Sequence, residues 1–272
     1  MRQFLSSIAQ EAGALALRYS QNRTAVVSQK GRGDYVTQVD KEVEALVVSR
    51  IHARFPEHAI LGEEAFSDRS LARFPGHAWV IDPIDGTTNF IRGLPNFCVS
   101  IGFCEAGLVP VAGAIFDPQR NELFLAERGQ GAWLGSERLQ TSQHASIKGM
   151  LHDASLPFRH LEALADVTKV LLNIQSESDD FRRLGSAALD LAYVAAGRID
   201  AYWELGIHAW DTAAGELMVR EAGGVATDFT GNELGLLHRR SIVASASPTL
   251  QKAMLEKVAP LVPWLGHPLY RA

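Results

Sequence analysis

The chain has 272 residues, 47% of them hydrophobic and 21% charged, which suits one compact domain or two closely joined lobes and is too apolar for a disordered chain. Its net charge is −5, and its basic residues are scattered, the longest runs being pairs such as Arg182-Arg183 and Arg239-Arg240. That argues against nucleic acid as the main ligand, because binding a phosphate backbone needs a clustered basic face. No window approaches the length of a membrane span, and the N-terminus lacks the apolar core of a signal peptide. Cys98 and Cys104 lie an even number of residues apart in one apolar run, on one face of a strand and too distant to bridge. Free buried thiols suit a reducing compartment, so a cytoplasmic protein is expected.

In chain order, Phe4, Ile8, Ala12, Leu15 and Tyr19 recur at helical spacing and predict a helix over about residues 3–20. Gly31-Arg32-Gly33-Asp34 reads as a turn. Thr37 with Asp40 is a capping-box pattern that opens a second helix, with Val43, Val47 and Ile51 on its inner face and Pro56 at its end. Short apolar runs at 59–61 and 78–81 read as strands entering loops. Runs at 99–104, 109–116, 122–126 and 132–134, separated by turn-forming residues, predict an antiparallel meander. The polar stretch from Gln140 to Gly149 is the candidate boundary between lobes of roughly 1–140 and 150–272. Beyond it helices at about 186–196, 211–222 and 248–258 alternate with strands at about 199–204 and 241–245.

The chemistry concentrates between Trp79 and Phe90. An apolar strand delivers Asp82, Pro83 stiffens the turn, and Asp85 follows three residues on. Two carboxylates on one rigid turn are hard-oxygen ligands for a divalent cation. Gly86 and Thr87 then stand where a short helix starts, with free amides that form a nest for a phosphate. Each aspartate taken alone is a common turn residue. Two further acidic sites strengthen the functional reading. Gly62-Glu63-Glu64 follows a short apolar strand, and Trp210-Asp211 opens a helix that runs to Gly223-Gly224.

These three blocks, in this order, resemble the signature blocks of the inositol monophosphatase family. The likeness extends to Lys30 through Asp40, to Arg183 through Ala188 and to Glu204 through Asp211, and so covers nearly the whole chain. It implies an α/β fold, the layered α-β-α-β-α sandwich shared with fructose-1,6-bisphosphatase, as a single domain over 1–272. It implies two or three Mg2+ ions. Glu63, Asp82 and the carbonyl of Ile84 match the positions that hold the first, and Asp82, Asp85 and Asp211 those of the second. Thr87 and Asp40 match the pair that orients or deprotonates the attacking water; Glu63 counts with them among the catalytic groups, and Glu64 beside it matches a group that stands behind the ligands or supports the base. Asp85, Gly86, Thr87, Gly185, Ser186, Ala187, Glu204 and Asp211 match substrate contacts, Glu204 being the acid that hydrogen-bonds inositol hydroxyls. Lys30 reads as a loop anchor, His208 as a structural hydrogen-bonder, and Arg183 as an ion-pair or anion partner.

What the resemblance implies is Mg2+-dependent hydrolysis of a small phosphorylated polyol or sugar, with myo-inositol monophosphate the expected substrate, in a lithium-sensitive homodimer. Rival substrates within the superfamily are fructose 1,6-bisphosphate and histidinol phosphate. A nucleotide 3′-phosphatase fits less well, since nothing suggests a base-stacking pocket. The rival from another class is an interaction protein that keeps the fold without catalysis, and loss of a ligand carboxylate would favour it. None is lost here. A binding role beside catalysis leaves no motif to read.

Overall fold

In the computed structural model, residues 1–22, 27–31, 34–64, 76–158, 161–232 and 240–267 are described. The chain opens with α1 (Arg2–Asn22), the hairpin strands β1 (Val27–Gly31) and β2 (Asp34–Thr37), and α2 (Gln38–Arg54). β3 (Ala59–Gly62), β4 (Ala78–Asp85), β5 (Cys98–Glu105), β6 (Val109–Asp117), β7 (Glu122–Glu127), β8 (Gly131–Leu134) and β9 (Glu137–Arg138) form a seven-stranded sheet in sequence order. Within it β3 and β4 run parallel and the later neighbours antiparallel. The six-residue helix α3 (Thr87–Arg92) leaves the end of β4.

The second sheet has the order β11-β10-β12-β14-β13, built from β10 (Leu151–Ala154), β11 (Asp180–Arg182), β12 (Ala201–Ile207), β13 (Val225–Thr227) and β14 (Arg240–Ser245). Its helices are α4 (Leu164–Gln175), α5 (Ala187–Ala195), α6 (Ala209–Glu221) and α7 (Pro248–Val258). A 3-10 segment, Ala259–Gly266, follows α7.

Burial arranges these elements in five layers. Leu5, Ile8 and Ala12 of α1 and Val43, Val47 and Ile51 of α2 pack on Trp79, Ile81, Val99, Ile101 and Phe103. On the opposite face of the same sheet lie α5 and α6, which also pack on Tyr202, Ile242 and Ala244 of the second sheet. Val167, Val170 and Ile174 of α4, with Leu250, Met254 and Val258 of α7, cover the outer side of the second sheet against Trp203 and Val243. The result is the expected α-β-α-β-α sandwich.

The middle layer is the demanding one. Helix α6 is buried from Thr212 through Val219, so small residues must let it lie against its neighbours. A Cβ at Gly102 would stand 2.8 Å from the Ala213 Cβ, and one at Gly113 2.9 Å from the Ala214 Cα. On the other side of the helix a Cβ at Gly215 would meet the Leu191 Cβ at 2.5 Å. Close approach of α6 to sheet and helix alike sets where its N-terminus, and with it Asp211, arrives.

The capping box opens α2 as expected: Asp40 N–H donates to Thr37 Oγ1 at 3.3 Å and Thr37 N–H to Asp40 Oδ2 at 2.8 Å. β1 and β2 pair antiparallel with Gly31 opposite Asp34; the turn expected there falls on Arg32 and Gly33, which lie outside the described residues, as does the side chain of Lys30. The meander is present, and Cys98 and Cys104 are free and buried. The 78–81 run is longer than its apolar stretch, since pairing with β5 continues through Asp85. Elements not anticipated are β1, β2, β10, α4, β11, β13, the two-residue β9 and the 3-10 segments Leu161–Ala163 and Ala259–Gly266. No helix among the described residues is long and apolar enough to cross a membrane.

Candidate active site

On a regular strand two residues three apart face opposite sides. Asp82 and Asp85 escape that rule because the ladder slips between them: Asp82 pairs with Ser100 and Asp85 with Cys98, three steps on β4 against two on β5. This one-residue bulge turns both carboxylates to the same side. Pro83, which has no N–H to give to a ladder, occupies the irregular stretch. Glu63 arrives beside them because β3 is parallel to β4, with Gly62 in register with Ile81 and Glu63 N–H donating to the Ile81 carbonyl at 3.2 Å. Asp211 arrives from the first turn of α6. Carboxylate oxygens of Asp82, Asp85 and Asp211 all lie within 4.8 Å of one another.

These groups line a cleft of about 420 Å3, within the usual range for small-molecule sites. Glu63, Asp82, Ile84, Asp85, Gly86, Thr87, Gly185, Ala187, Glu204 and Asp211 all face it. Of the sequence-derived residues, Asp40, Glu64 and Ser186 stand behind its surface. Ser186 is buried and donates through Oγ to Asp85 Oδ2 at 2.6 Å, where the Ala188 N–H also donates at 2.7 Å. Its place is therefore to orient Asp85. The cleft also takes in Thr88, Asn89, Ser155, Phe158 and Arg183.

A pattern recurs among the acids. One oxygen of each is anchored by the chain: Asp82 Oδ1 accepts from Ile84 N–H at 3.0 Å, and Asp211 Oδ2 from His208 N–H at 2.8 Å. Asp85 Oδ2 is held by α5 and Asp40 Oδ2 by Thr37. The second oxygen of Asp40, Oδ1, is buried with no hydrogen-bond partner. Anchoring one oxygen fixes the rotamer and so the direction of the other. The Ile84 carbonyl accepts from Thr87 Oγ1 at 3.1 Å, which ties that hydroxyl to the same turn and leaves the carbonyl a second lone pair.

Gly86 is required on two grounds. Its φ is 91°, and a Cβ would stand 2.9 Å from the Asn96 carbonyl and 3.2 Å from that of Gly185. The chain thus turns sharply into α3, whose first amides have no partner within the helix. Asn89 clamps the opposite rim. Its Nδ2 donates to the carbonyls of Asn96 at 2.7 Å and Leu184 at 2.9 Å.

Burial and mutual repulsion raise the acids of the cluster together. Burial, then Glu63, Asp85 and Asp211, push the Asp82 pKa well above the carboxylate range. Burial raises Asp85 against the hydrogen bonds from Ser186 and Ala188. Asp40 is pushed up to about 6 by burial, offset by its bonds to Thr37 and raised further by Glu64. Buried oxygen donors at this spacing, with neither thiolate nor imidazole in the group, fit hard divalent ions such as Mg2+.

A second buried acid group stands on the Glu204 side of the cleft, and the sequence reading missed it. Asp153 accepts Leu184 N–H at 2.9 Å and is pushed up to about 7 by burial, and Asp190 has neither side-chain oxygen hydrogen-bonded. Tyr202 donates its hydroxyl to Glu204 Oε2. An aspartate inside the wholly apolar run 187–195 was the available signal.

The Inositol monophosphatase family model matches residues 1–263. The Nus factor SuhB of Escherichia coli strain K12 is 45% identical over 248 residues, 91% of each chain. Among solved structures, the Thermotoga maritima IMPase superposes with a TM-score of 0.84 at 33% identity, covering 96% of this chain and 97% of that one. SaIMPase-II, solved with inositol monophosphate bound, gives 0.82 at 28% identity, covering 97% and 96%. Fold and site together define a phosphatase-type α/β protein with a carboxylate cluster suited to metal ions. The chain belongs to the inositol monophosphatase family.

A pH prediction follows from the direction of these shifts. With a folded pKa of about 6 against 3.8, Asp40 favours folding when protonated, a contribution complete below about pH 4 and lost as pH rises through 6. The raised Asp82 and Asp85 act in the same sense. His152, lowered to about 4 by burial, acts oppositely, contributing above its unfolded value of 6.5 and losing that as pH falls. The two trends overlap in a plain melting curve, so the informative quantity is the shift in Tm on adding saturating Mg2+. That shift is expected to grow from pH 5 to pH 7.5, as protons leave the acids that bind the ion. A shift independent of pH would contradict the assignment.

Proposed function

We propose that this protein is a Mg2+-dependent phosphatase of small hydroxyl-bearing phosphate monoesters, with myo-inositol monophosphate its substrate. The observation that carries the reading is the convergence of Asp82, Asp85 and Asp211 at a cleft whose far wall presents Glu204. Glu63, Asp82 and the Ile84 carbonyl would hold one ion, and Asp82, Asp85 and Asp211 a second. Bound there, the ions would supply positive charge that offsets the acids and the phosphate and lowers the pKa of water.

The remaining work falls to the chain itself. The amides at Gly86 and Thr87 receive phosphate oxygens, and the bulge in β4 keeps the acids in one direction. Asp40, whose Oδ1 has no hydrogen-bond partner and whose carboxyl is raised to about 6, would take a proton from the attacking water, with Thr87 Oγ1 aligning it. Glu204, fixed by Tyr202, accepts from substrate hydroxyls. The inositol monophosphate bound to SaIMPase-II supports this choice over fructose bisphosphate or histidinol phosphate. Lithium sensitivity belongs to the same reading.

The name Nus factor SuhB borne by curated relatives favours a second reading, a role apart from hydrolysis that coexists with it. Such a role would not need the acids. Asp82→Asn is expected to lower kcat for inositol monophosphate by about 10²-fold or more, the scale of a directly acting electrostatic group, and Glu64→Gln by much less. Equal small losses would reduce the acids to turn-makers. Introduced into cells lacking the gene, inactive Asp82→Asn restores any phenotype due to the second role and none due to hydrolysis.

Substrate choice is tested separately at Glu204. Glu204→Gln should raise KM for inositol monophosphate more than for an aryl phosphate, because a carboxylate accepts more strongly than an amide and the aryl ester has no hydroxyl to lose. A uniform effect on both would remove the main support for inositol.

A further inference from the structure

Glu44 lies on α2 one turn beyond Asp40 and therefore on the same face of the helix. It is only 2% exposed, unusual for a glutamate. Its Oε2 accepts the backbone N–H of Glu64 at 3.0 Å. Gly62 packs against the same carboxylate so tightly that a Cβ there would stand 2.3 Å from Oε2 and 2.6 Å from Cδ. Gly62 is not among the glycines of positive φ, so its backbone admits other residues and only the space taken by Glu44 demands glycine. The preceding amide, that of Glu63, is held by the Ile81 carbonyl of β4. Two successive amides are thus gripped from two sides, one by the strand that carries Asp82 and one by the helix that carries Asp40.

We propose that Glu44 is a positioning residue of the metal centre: seated in the space that Gly62 leaves open, its carboxylate fixes the Gly62-Glu63-Glu64 turn so that Glu63 meets the cleft beside Asp82. The proposal rests on the reading of the acid cluster as a Mg2+ site. Glu44 lines no part of the cleft and reaches Glu63 through the turn. A glutamate whose role was merely to satisfy a buried amide would affect stability and leave metal affinity alone. A positioning residue affects affinity, since partners that orient metal ligands typically alter it by about 10–100-fold when removed.

The test is calorimetric titration of the metal-free full chain with Mg2+, with Tm measured in parallel. Glu44→Ala should weaken binding about tenfold. Glu44→Gln, whose amide oxygen still accepts the Glu64 N–H, should stay within about threefold of the parent, a rescue by geometry rather than by charge. Gly62→Ala should drive the carboxylate off the turn and reproduce the loss seen with Glu44→Ala. Because both changes break one contact, the double variant should bind no worse than the weaker single. Unchanged affinity in Glu44→Ala with only a lower Tm would overturn the proposal, as would losses that multiply in the double variant. Should Glu44→Ala fail to fold, Gly62→Ala against Glu44→Gln decides alone: equal affinities overturn the proposal, and a tenfold gap upholds it. A parent chain that binds no Mg2+ defeats the metal-site reading itself, an outcome distinct from a parent that binds and variants that do not differ.

Discussion

Carboxylate oxygens of Asp82, Asp85 and Asp211 gathered within 4.8 Å, largely out of water, repel one another by about 3.5 kcal/mol or more per pair of full charges at an effective dielectric near 20. Folding can tolerate that crowding only with protons on some of the acids or cations among them. The structure commits considerable architecture to keeping them together. A bulge in β4 turns Asp82 and Asp85 the same way, parallel pairing with β3 sets Glu63 alongside, and a helix pressed between two sheets delivers Asp211. Because one oxygen of each aspartate is held by a backbone amide, the acids cannot simply swing away into solvent. A cation bound among them would relieve the repulsion and leave those anchors in place, which would link stability, metal uptake and pH.

The cleft has two sides of different character. One is acidic and built on the ends of β3 and β4 and the start of α3. The other runs from Arg183 to Ala187, between β11 and α5, with Glu204 on β12. Asn89 joins them, its single amide group reaching the carbonyls of Asn96 and Leu184. Ser186 joins them a second time, since its hydroxyl reaches across to Asp85 Oδ2. The two sides are therefore tied together by short hydrogen bonds.

Much of the site was legible in the sequence because its residues sit at element ends, where turn chemistry is explicit. Asp82-Pro83, Asp85-Gly86 and the capping box of Thr37 and Asp40 each carry a local physical signature, and the structure places all of them at or beside the cleft. The bulge was not legible, since nothing in the alternation of residues announces a ladder slip. Likewise β5 and β6 are covered on both faces, which erases the alternation that separates layers, so the five-layer order came from family resemblance alone. The segment 150–182 escaped because β10 and β11 are only four and three residues long. Glu44 reads as an ordinary helix residue that only its burial sets apart, whereas Asp190 carried one sequence signal, its place inside an apolar run.

The central claim is that these acids form a divalent metal centre, and diffraction from crystals soaked in Mn2+ tests it most directly. Mn2+ shares the oxygen preference of Mg2+ and scatters anomalously. The account predicts anomalous peaks between Asp82, Asp85 and Asp211 and between Glu63 and Asp82, with ligand distances of about 2.0–2.2 Å to carboxylate oxygens, those expected of a Mg2+-like octahedral site. Crystals that bind Mn2+ elsewhere while this cluster shows no peak would contradict it.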